Sequence, residues 1–169
     1  MGVGPPGRTG RDQLAEARAF AASPDRRPGE HVVIACDRGA SRWGDAVVAE
    51  GAALLPVDCA GNLHTSVIEL LVRNGSRGVL VVACPPRDCW NREGPRWLLE
   101  RIYNDREAEL QARVDRQRVR VAYANAVEGS DAVAALRSFV ADTQPLGAVV
   151  AESGAVGVEC EPELAAPRE

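Results

Sequence analysis

Four short apolar runs, separated by segments with helical spacing, constrain the fold of this chain most. The runs are HVVIAC (31–36), ALLPVDC (53–59), GVLVVAC (78–84) and VRVAYANA (119–126). Between the second and third runs, apolar residues recur with a helical period at Leu63, Val67, Leu70 and Leu71. Regular alternation of strands and helices is typical of a parallel sheet with helices on both faces. The sequence therefore predicts an α/β fold with a four-stranded parallel sheet in the order 2-1-3-4.

Details of the apolar runs indicate where each strand lies in that sheet. The third run is apolar at nearly every position, as expected for a central strand that is buried on both faces. The second run contains Pro56, which cannot donate a hydrogen bond to a neighbouring strand and therefore suits the edge of the sheet. Helices are predicted over residues 41–50, 62–74, 95–114 and 130–142.

The two ends of the chain differ in composition from the region between them. Residues 1–29 are rich in Gly, Pro and Arg, so they are predicted to form a flexible N-terminal arm, in which residues 12–22 could form one short helix. Residues 143–169 are small, acidic and interrupted by proline, which predicts a C-terminal tail. The α/β domain itself is expected to span residues 30–142.

The charge and hydropathy patterns argue against several classes of function. The net charge is −4 and no basic block stands out, so nucleic acid is not expected as a partner. No apolar stretch approaches the roughly 20 residues that span a bilayer, and the N-terminus lacks the apolar segment of a signal peptide. We therefore expect a cytoplasmic protein. In that reducing compartment, the five cysteines need a role other than stable disulfides.

Four of the five cysteines are predicted to share one edge of the sheet. Cys36, Cys59 and Cys84 each end an apolar run, and Cys89 lies in the loop after Cys84. Ligands of open α/β sheets bind outside the carboxyl ends of the strands. Because neighbouring strands are only about 4.8 Å apart, three adjacent strand ends fall within one small site. Cys160 lies in the acidic tail and is given no role.

The chemistry of such a group of thiols has several possible forms. The helices that follow the strands begin at the same edge, and their N-termini favour the thiolate, which is the form that binds metals. Four thiolates can hold zinc, a [2Fe–2S] cluster or a [4Fe–4S] cluster. The C-x4-C spacing of Cys84 and Cys89 also occurs in plant-type [2Fe–2S] sites. A zinc-stabilised interaction module, a thiol oxidoreductase that uses Cys84 and Cys89, and simple burial remain open at this point.

Three arginines are expected near the same edge. Arg38, Arg87 and Arg92 lie in the segments that follow the first and third strands. An iron–sulfur cluster held by four thiolates is an anion, so nearby guanidinium groups would stabilise its reduced form and raise its reduction potential. Trp90 adjoins Cys89 and could shield a cluster or contact a partner.

Three stretches of the chain carry a more specific pattern: IACDRGA (34–40), LPVDCAGNLHTSVIELLVRNGSRGVLVVACPPRDCWNREG (55–94) and RVRVAYANAVEGSDAVAALRSFV (118–140). Together they resemble the iron–sulfur (delta) subunit family of methyl-viologen-reducing hydrogenase over residues 30–142. The arrangement CAGN…GVLVVAC…DC is the most specific part of this resemblance. The family usually has CxxC at the end of the first strand, whereas this chain has CDRG, with Gly39 in place of the second cysteine.

The resemblance implies a cofactor, a role and a partner. Members of the family carry a [2Fe–2S] cluster and pass single electrons between partners. Carried over by position, Cys36, Cys59, Cys84 and Cys89 match family cysteines and would hold the cluster. The implied role is that of a non-catalytic electron-transfer subunit of an oxidoreductase complex. The implied partner resembles the heterodisulfide reductase component that carries flavin and iron–sulfur centres.

Overall fold

The computed structural model describes residues 9–104, 109–147 and 149. Its centre is a four-stranded, all-parallel sheet in the order β2-β1-β3-β4, which confirms the predicted fold class and strand order. The strands are β1 (His31–Cys36), β2 (Ala53–Val57), β3 (Gly78–Ala83) and β4 (Val119–Tyr123). The two central strands, β1 and β3, are buried at every residue, and Pro56 lies exposed on edge strand β2, as expected.

Five α-helices cover the two faces of the sheet. They are α1 (Gly10–Ala21), α2 (Asp37–Ala49), α3 (Thr65–Arg73), α4 (Gly94–Tyr103) and α5 (Gly129–Thr143). Apolar residues of α1, α3 and α4 pack with one face of the sheet, around Ile34 and Val81. Apolar residues of α2 and α5 pack with the other face, around Val33 and Leu80. Adjacent residues of each central strand therefore contribute to opposite cores, as the pleat of a strand requires.

The N-terminal helix is packed against the domain, although the sequence predicts a loose arm over residues 1–29. Ala17 of α1 is fully buried in the core that α3 shares, and Phe20 packs at its margin. Thr9 and Asp12 form a capping box at the start of the helix. The rest of the predicted division into arm, domain and tail stays a prediction, and Cys160 lies outside the described residues.

Helix α4 is shorter than the predicted helix over residues 95–114. It ends at Tyr103, and residues 109–114 are not helical. Leu110 is nevertheless buried, because the chain folds back and its amide donates to the carbonyl of Arg101 at 3.0 Å. Glu69 of α3 holds the returning segment through the amide of Gln111 (3.1 Å) and the guanidinium of Arg113 (2.7 Å). The apolar position at residue 110 thus reflects tertiary packing rather than helical continuation.

No helix within the described residues is long and apolar enough to cross a membrane.

His31 is a buried titratable group at the start of β1. Its Nε2 lies 2.7 Å from the Thr143 hydroxyl of α5, and its ring packs edge-on against Phe139. Because the Thr143 hydroxyl donates to the carbonyl of Phe139 (2.7 Å), the imidazole is the donor to Thr143. Burial and the neighbouring charge of Arg77 lower the pKa of His31 from its usual 6.5.

We expect the free energy of unfolding to fall on acidification from about pH 7 to about pH 5, because the unfolded chain then binds a proton at His31 that the folded chain does not. His31→Gln removes the titrating group, so its loss of stability over this range should be smaller. Thr143→Val is the matched control, because it removes the hydrogen bond and keeps the imidazole. Denaturant titrations at several pH values measure the difference, and an identical pH dependence in wild type and His31→Gln would contradict it.

Candidate functional site

The four cysteines singled out by the sequence, called the site cysteines below, line one cavity at the carboxyl edge of the sheet. They are Cys36, Cys59, Cys84 and Cys89. The cavity has a volume of about 480 Å³. All four thiols are free of disulfides, Cys36 is buried, and the others are partly exposed. The structure therefore brings these side chains together as expected, while the centre that they hold stays a prediction.

Each site cysteine stands at the end of a strand or in a loop that leads to a helix. Cys36 is the last residue of β1 and precedes α2, while Cys59 precedes a short 3-10 helix over Ala60–Asn62. Cys84 follows β3 directly, and Cys89 lies in the loop that leads to α4. The parallel sheet aligns the strand ends, so residues far apart in sequence meet at one edge.

Three of the thiols are in direct contact. Cys36 hydrogen-bonds to Cys59, and this bond raises the pKa of Cys36. The same bond lowers the pKa of Cys59 to about 5, because it stabilises the thiolate. Cys36 also contacts Cys84, whose pKa is raised by burial. At neutral pH the pair Cys36 and Cys59 therefore shares one proton, which Cys36 keeps and donates to the Cys59 thiolate.

Backbone amides supply hydrogen bonds to the two inner sulfur atoms. The amide of Ala60 donates to Sγ of Cys36 at 3.2 Å, and the amide of Cys84 donates to the same atom. The amides of Gly61 and Asn62 donate to Sγ of Cys59. The turn over residues 60–62 thus directs three N–H groups towards sulfur, and such donors stabilise negative charge on it.

A close contact between two glycines holds that turn against the start of α4. A Cβ on Gly61 would lie 2.3 Å from the Cα of Gly94, which is closer than two atoms can pack. A Cβ on Gly94 would lie 3.4 Å from the sulfur atoms of both Cys59 and Cys89. The absence of a side chain at both positions therefore allows Cys59 and Cys89 to approach one another. Neither glycine stands out in the sequence as part of a pair, because they lie in separate loops far apart in the chain.

Two polar side chains bind the carbonyl groups of the same turn from opposite sides. Arg101 of α4 donates to the carbonyls of Gly61 and Leu63, the latter at 2.8 Å. Gln13 of α1 donates to the carbonyl of Asn62 at 3.0 Å and accepts from the amide of His64 at 3.0 Å. Sequence reasoning missed both residues, since nothing in their local patterns indicates contact with a distant turn.

Of the three arginines expected near the site, Arg38 alone lines the cavity within the described part of the chain. Its guanidinium lies 4.7 Å from the centre of the Trp90 ring, and Trp90 is 76% exposed at the cavity rim. Arg87 is instead paired with Asp88 (3.2 Å) and Glu128 (2.6 Å). Arg38 is therefore the arginine placed to act on the thiols, and its charge lowers the pKa of Cys84 against the effect of burial.

Position 39, where this chain departs from the CxxC pattern, does not face the cavity. A Cβ on Gly39 would lie 3.1 Å from the Trp43 ring, which belongs to the core between the sheet and α2. Gly39 is not among the residues that line the cavity. A side chain here would meet Trp43 before any of the site cysteines.

The described residues contain no group of three or more His, Cys, Asp or Glu side chains arranged to hold a single metal ion. His64 is not such a ligand, because its ring accepts a hydrogen bond from the amide of Ser66 and caps α3. The site cysteines surround an open cavity rather than one point.

We expect Gly61→Ala to lower the free energy of unfolding by about 1–3 kcal/mol, because the added methyl group meets the backbone of Gly94. Gly94→Ala is the matched variant, because its methyl group reaches sulfur atoms only at ordinary contact distance. Its effect should stay below about 1 kcal/mol, helped by the higher helix propensity of alanine. Chemical denaturation measures both, and equal effects of the two substitutions would show that the backbones of the two glycines are not in close contact.

Comparison with known proteins adds one finding. A family model described as methyl-viologen-reducing hydrogenase, delta subunit, matches residues 33–147, which is more than half of the chain. No curated protein matches the sequence significantly. The matched region contains all four strands from Val33 onwards, all four site cysteines and the turn that contacts them. The chain therefore belongs to the methyl-viologen-reducing hydrogenase delta subunit family.

Proposed function

We propose that this chain is an electron-transfer subunit that holds one [2Fe–2S] cluster on Cys36, Cys59, Cys84 and Cys89. It would relay electrons between a donor and a partner with flavin and iron–sulfur centres, similar to the corresponding component of heterodisulfide reductase. The observation that carries this proposal is the convergence of four free thiols, from three strand ends and one loop, on a single cavity. Membership of the family supports a redox role within a larger complex.

The donor set and the space between the thiols fit a centre with several atoms. Four thiolates are a sufficient set of ligands for a [2Fe–2S] cluster. The cavity of about 480 Å³ leaves room between the sulfur atoms, whereas structural zinc needs four donors gathered around one ion. Since the described residues include no such single-ion group, the geometry favours the cluster over zinc.

The surrounding residues would stabilise added negative charge on such a centre. When bound, the cluster supplies one-electron chemistry: it gains one electron from the donor and loses one to the acceptor. The amides of the turn over residues 60–62 donate to the sulfur atoms of Cys36 and Cys59, and Arg38 adds a positive charge on the cavity wall. Both effects favour the reduced state relative to the same cluster in water.

Trp90 supports a contact with a partner beside the thiols. Its side chain is 76% exposed although it directly follows Cys89 and lies on the cavity rim. Exposed tryptophan residues are frequent anchors in protein interfaces. A redox partner that binds over Trp90 would come close to the centre, which electron transfer requires.

We expect protein purified without oxygen to be brown and to contain about two irons and two acid-labile sulfides per chain. Cys59→Ser should abolish this content, because it removes one of four ligands, whereas Cys160→Ser, outside the matched region, should leave it unchanged. Metal and sulfide analysis with EPR of the reduced protein gives the answer. One zinc per chain would favour the zinc module, and a Cys84–Cys89 dithiol that still cycles in a metal-free Cys59→Ser protein would favour a thiol oxidoreductase.

We further expect Arg38→Gln to shift the midpoint potential of the centre to a more negative value, because the reduced state loses a nearby positive charge. Arg87→Gln is the control, since Arg87 is neutralised by two carboxylates. An EPR-monitored redox titration compares the three proteins. A potential that changes equally in both variants would show that Arg38 has no special relation to the site.

A further inference from the structure

A side chain that is neither a cysteine nor a charged group contacts one of the site cysteines. Asn91 lines the thiol cavity, and its carboxamide hydrogen-bonds to the sulfur of Cys59. The two residues belong to different loops, one after β2 and one after β3. Asn91 therefore joins the loop of Cys89 to the sulfur atom of Cys59 across the site.

The backbone of the loop is shaped to place Asn91 there. The amide of Arg92 donates to the carbonyl of Cys89 at 3.0 Å, and the amide of Glu93 donates to the carbonyl of Asn91 at 2.6 Å. Arg92 has a φ of 51°, in the left-handed region that non-glycine residues seldom adopt. This tight turn lets Asn91 lie at the cavity while α4 begins shortly afterwards at Gly94.

The direction of the hydrogen bond follows from the chemistry of the two groups. A thiolate only accepts, so the NH₂ group of the Asn91 carboxamide is the donor. The other backbone donors to Cys59 are the amides of Gly61 and Asn62, which the fold itself fixes. Asn91 contributes through a side chain, so this bond can be removed without changing the path of the backbone.

We propose that Asn91 is a positioning residue that acts through the sulfur of Cys59 and raises the reduction potential of the centre; this inference rests on the proposed function. A donor to a ligand sulfur withdraws negative charge from it, and the reduced cluster carries one more negative charge than the oxidised one. The hydrogen bond is therefore stronger in the reduced state, and its loss favours the oxidised state.

The test compares the midpoint potentials of wild type, Asn91→Leu, Asn91→Gln and Asn125→Ala in the intact chain, by redox titration with EPR detection. Asn91→Leu should have a more negative potential and altered g-values, and Asn91→Gln, which keeps a donor, should recover part of the shift. Asn125→Ala is the control, because the Asn125 amide binds Asp88 of the same loop at 2.9 Å and is not among the residues that line the cavity. Equal potentials in wild type and Asn91→Leu, or an equal shift in Asn125→Ala, overturn the proposal.

A second readout needs no cluster. In metal-free protein, the side-chain amide proton signals of Asn91 should move in the NMR spectrum when Cys59 is replaced by alanine, while those of Asn125 in the same sample should not. Unmoved Asn91 signals overturn the inference. A wild-type protein without iron defeats the proposed function instead, and the amide signals then decide this inference on their own.

Discussion

The site depends most on the direct backbone contact between Gly61 and Gly94. The sheet aligns three strand ends, but this alignment alone does not bring Cys89 to Cys59, because Cys89 lies in a loop with its own path. The contact of two residues without side chains closes that gap and places both sulfur atoms beside the first turn of α4. Arg101 and Gln13 then hold the same turn through its carbonyl groups, so helices α1 and α4 both support the position of Cys59.

The second constraint is electrostatic. Four sulfur atoms that each carry negative charge would repel one another in a partly buried cavity. The structure offsets this repulsion with backbone amides at Cys36 and Cys59, the carboxamide of Asn91, and the guanidinium of Arg38. The groups that stabilise ligand thiolates are also those that would favour an added electron. One arrangement therefore serves both the binding of a centre and its redox chemistry.

The sequence was sufficient to predict the strand order and the edge at which the cysteines meet, because apolar runs mark strands and carboxyl ends of parallel strands lie together. Pro56 correctly indicated an edge strand. The sequence did not reveal that α1 packs on the core, because a short helix in a Gly- and Pro-rich segment is stabilised mainly by its tertiary contacts. The same reason explains why Leu110 misled the length of α4, and why the contacts of Gly61, Asn91 and Arg101 were not foreseen. The last three contacts each depend on a neighbour that is distant in the chain.

Position 39 illustrates how geometry changes the meaning of a sequence difference. As a pattern, Gly39 is a missing cysteine, but a side chain there would meet Trp43 and not the cavity. The proposed centre therefore depends on only four thiols. Mössbauer spectroscopy of protein enriched in ⁵⁷Fe tests this most directly. We expect two tetrahedral, all-sulfur iron sites that couple to a diamagnetic oxidised state; a single iron, or iron with nitrogen or oxygen ligands, would contradict a cluster held by these four cysteines.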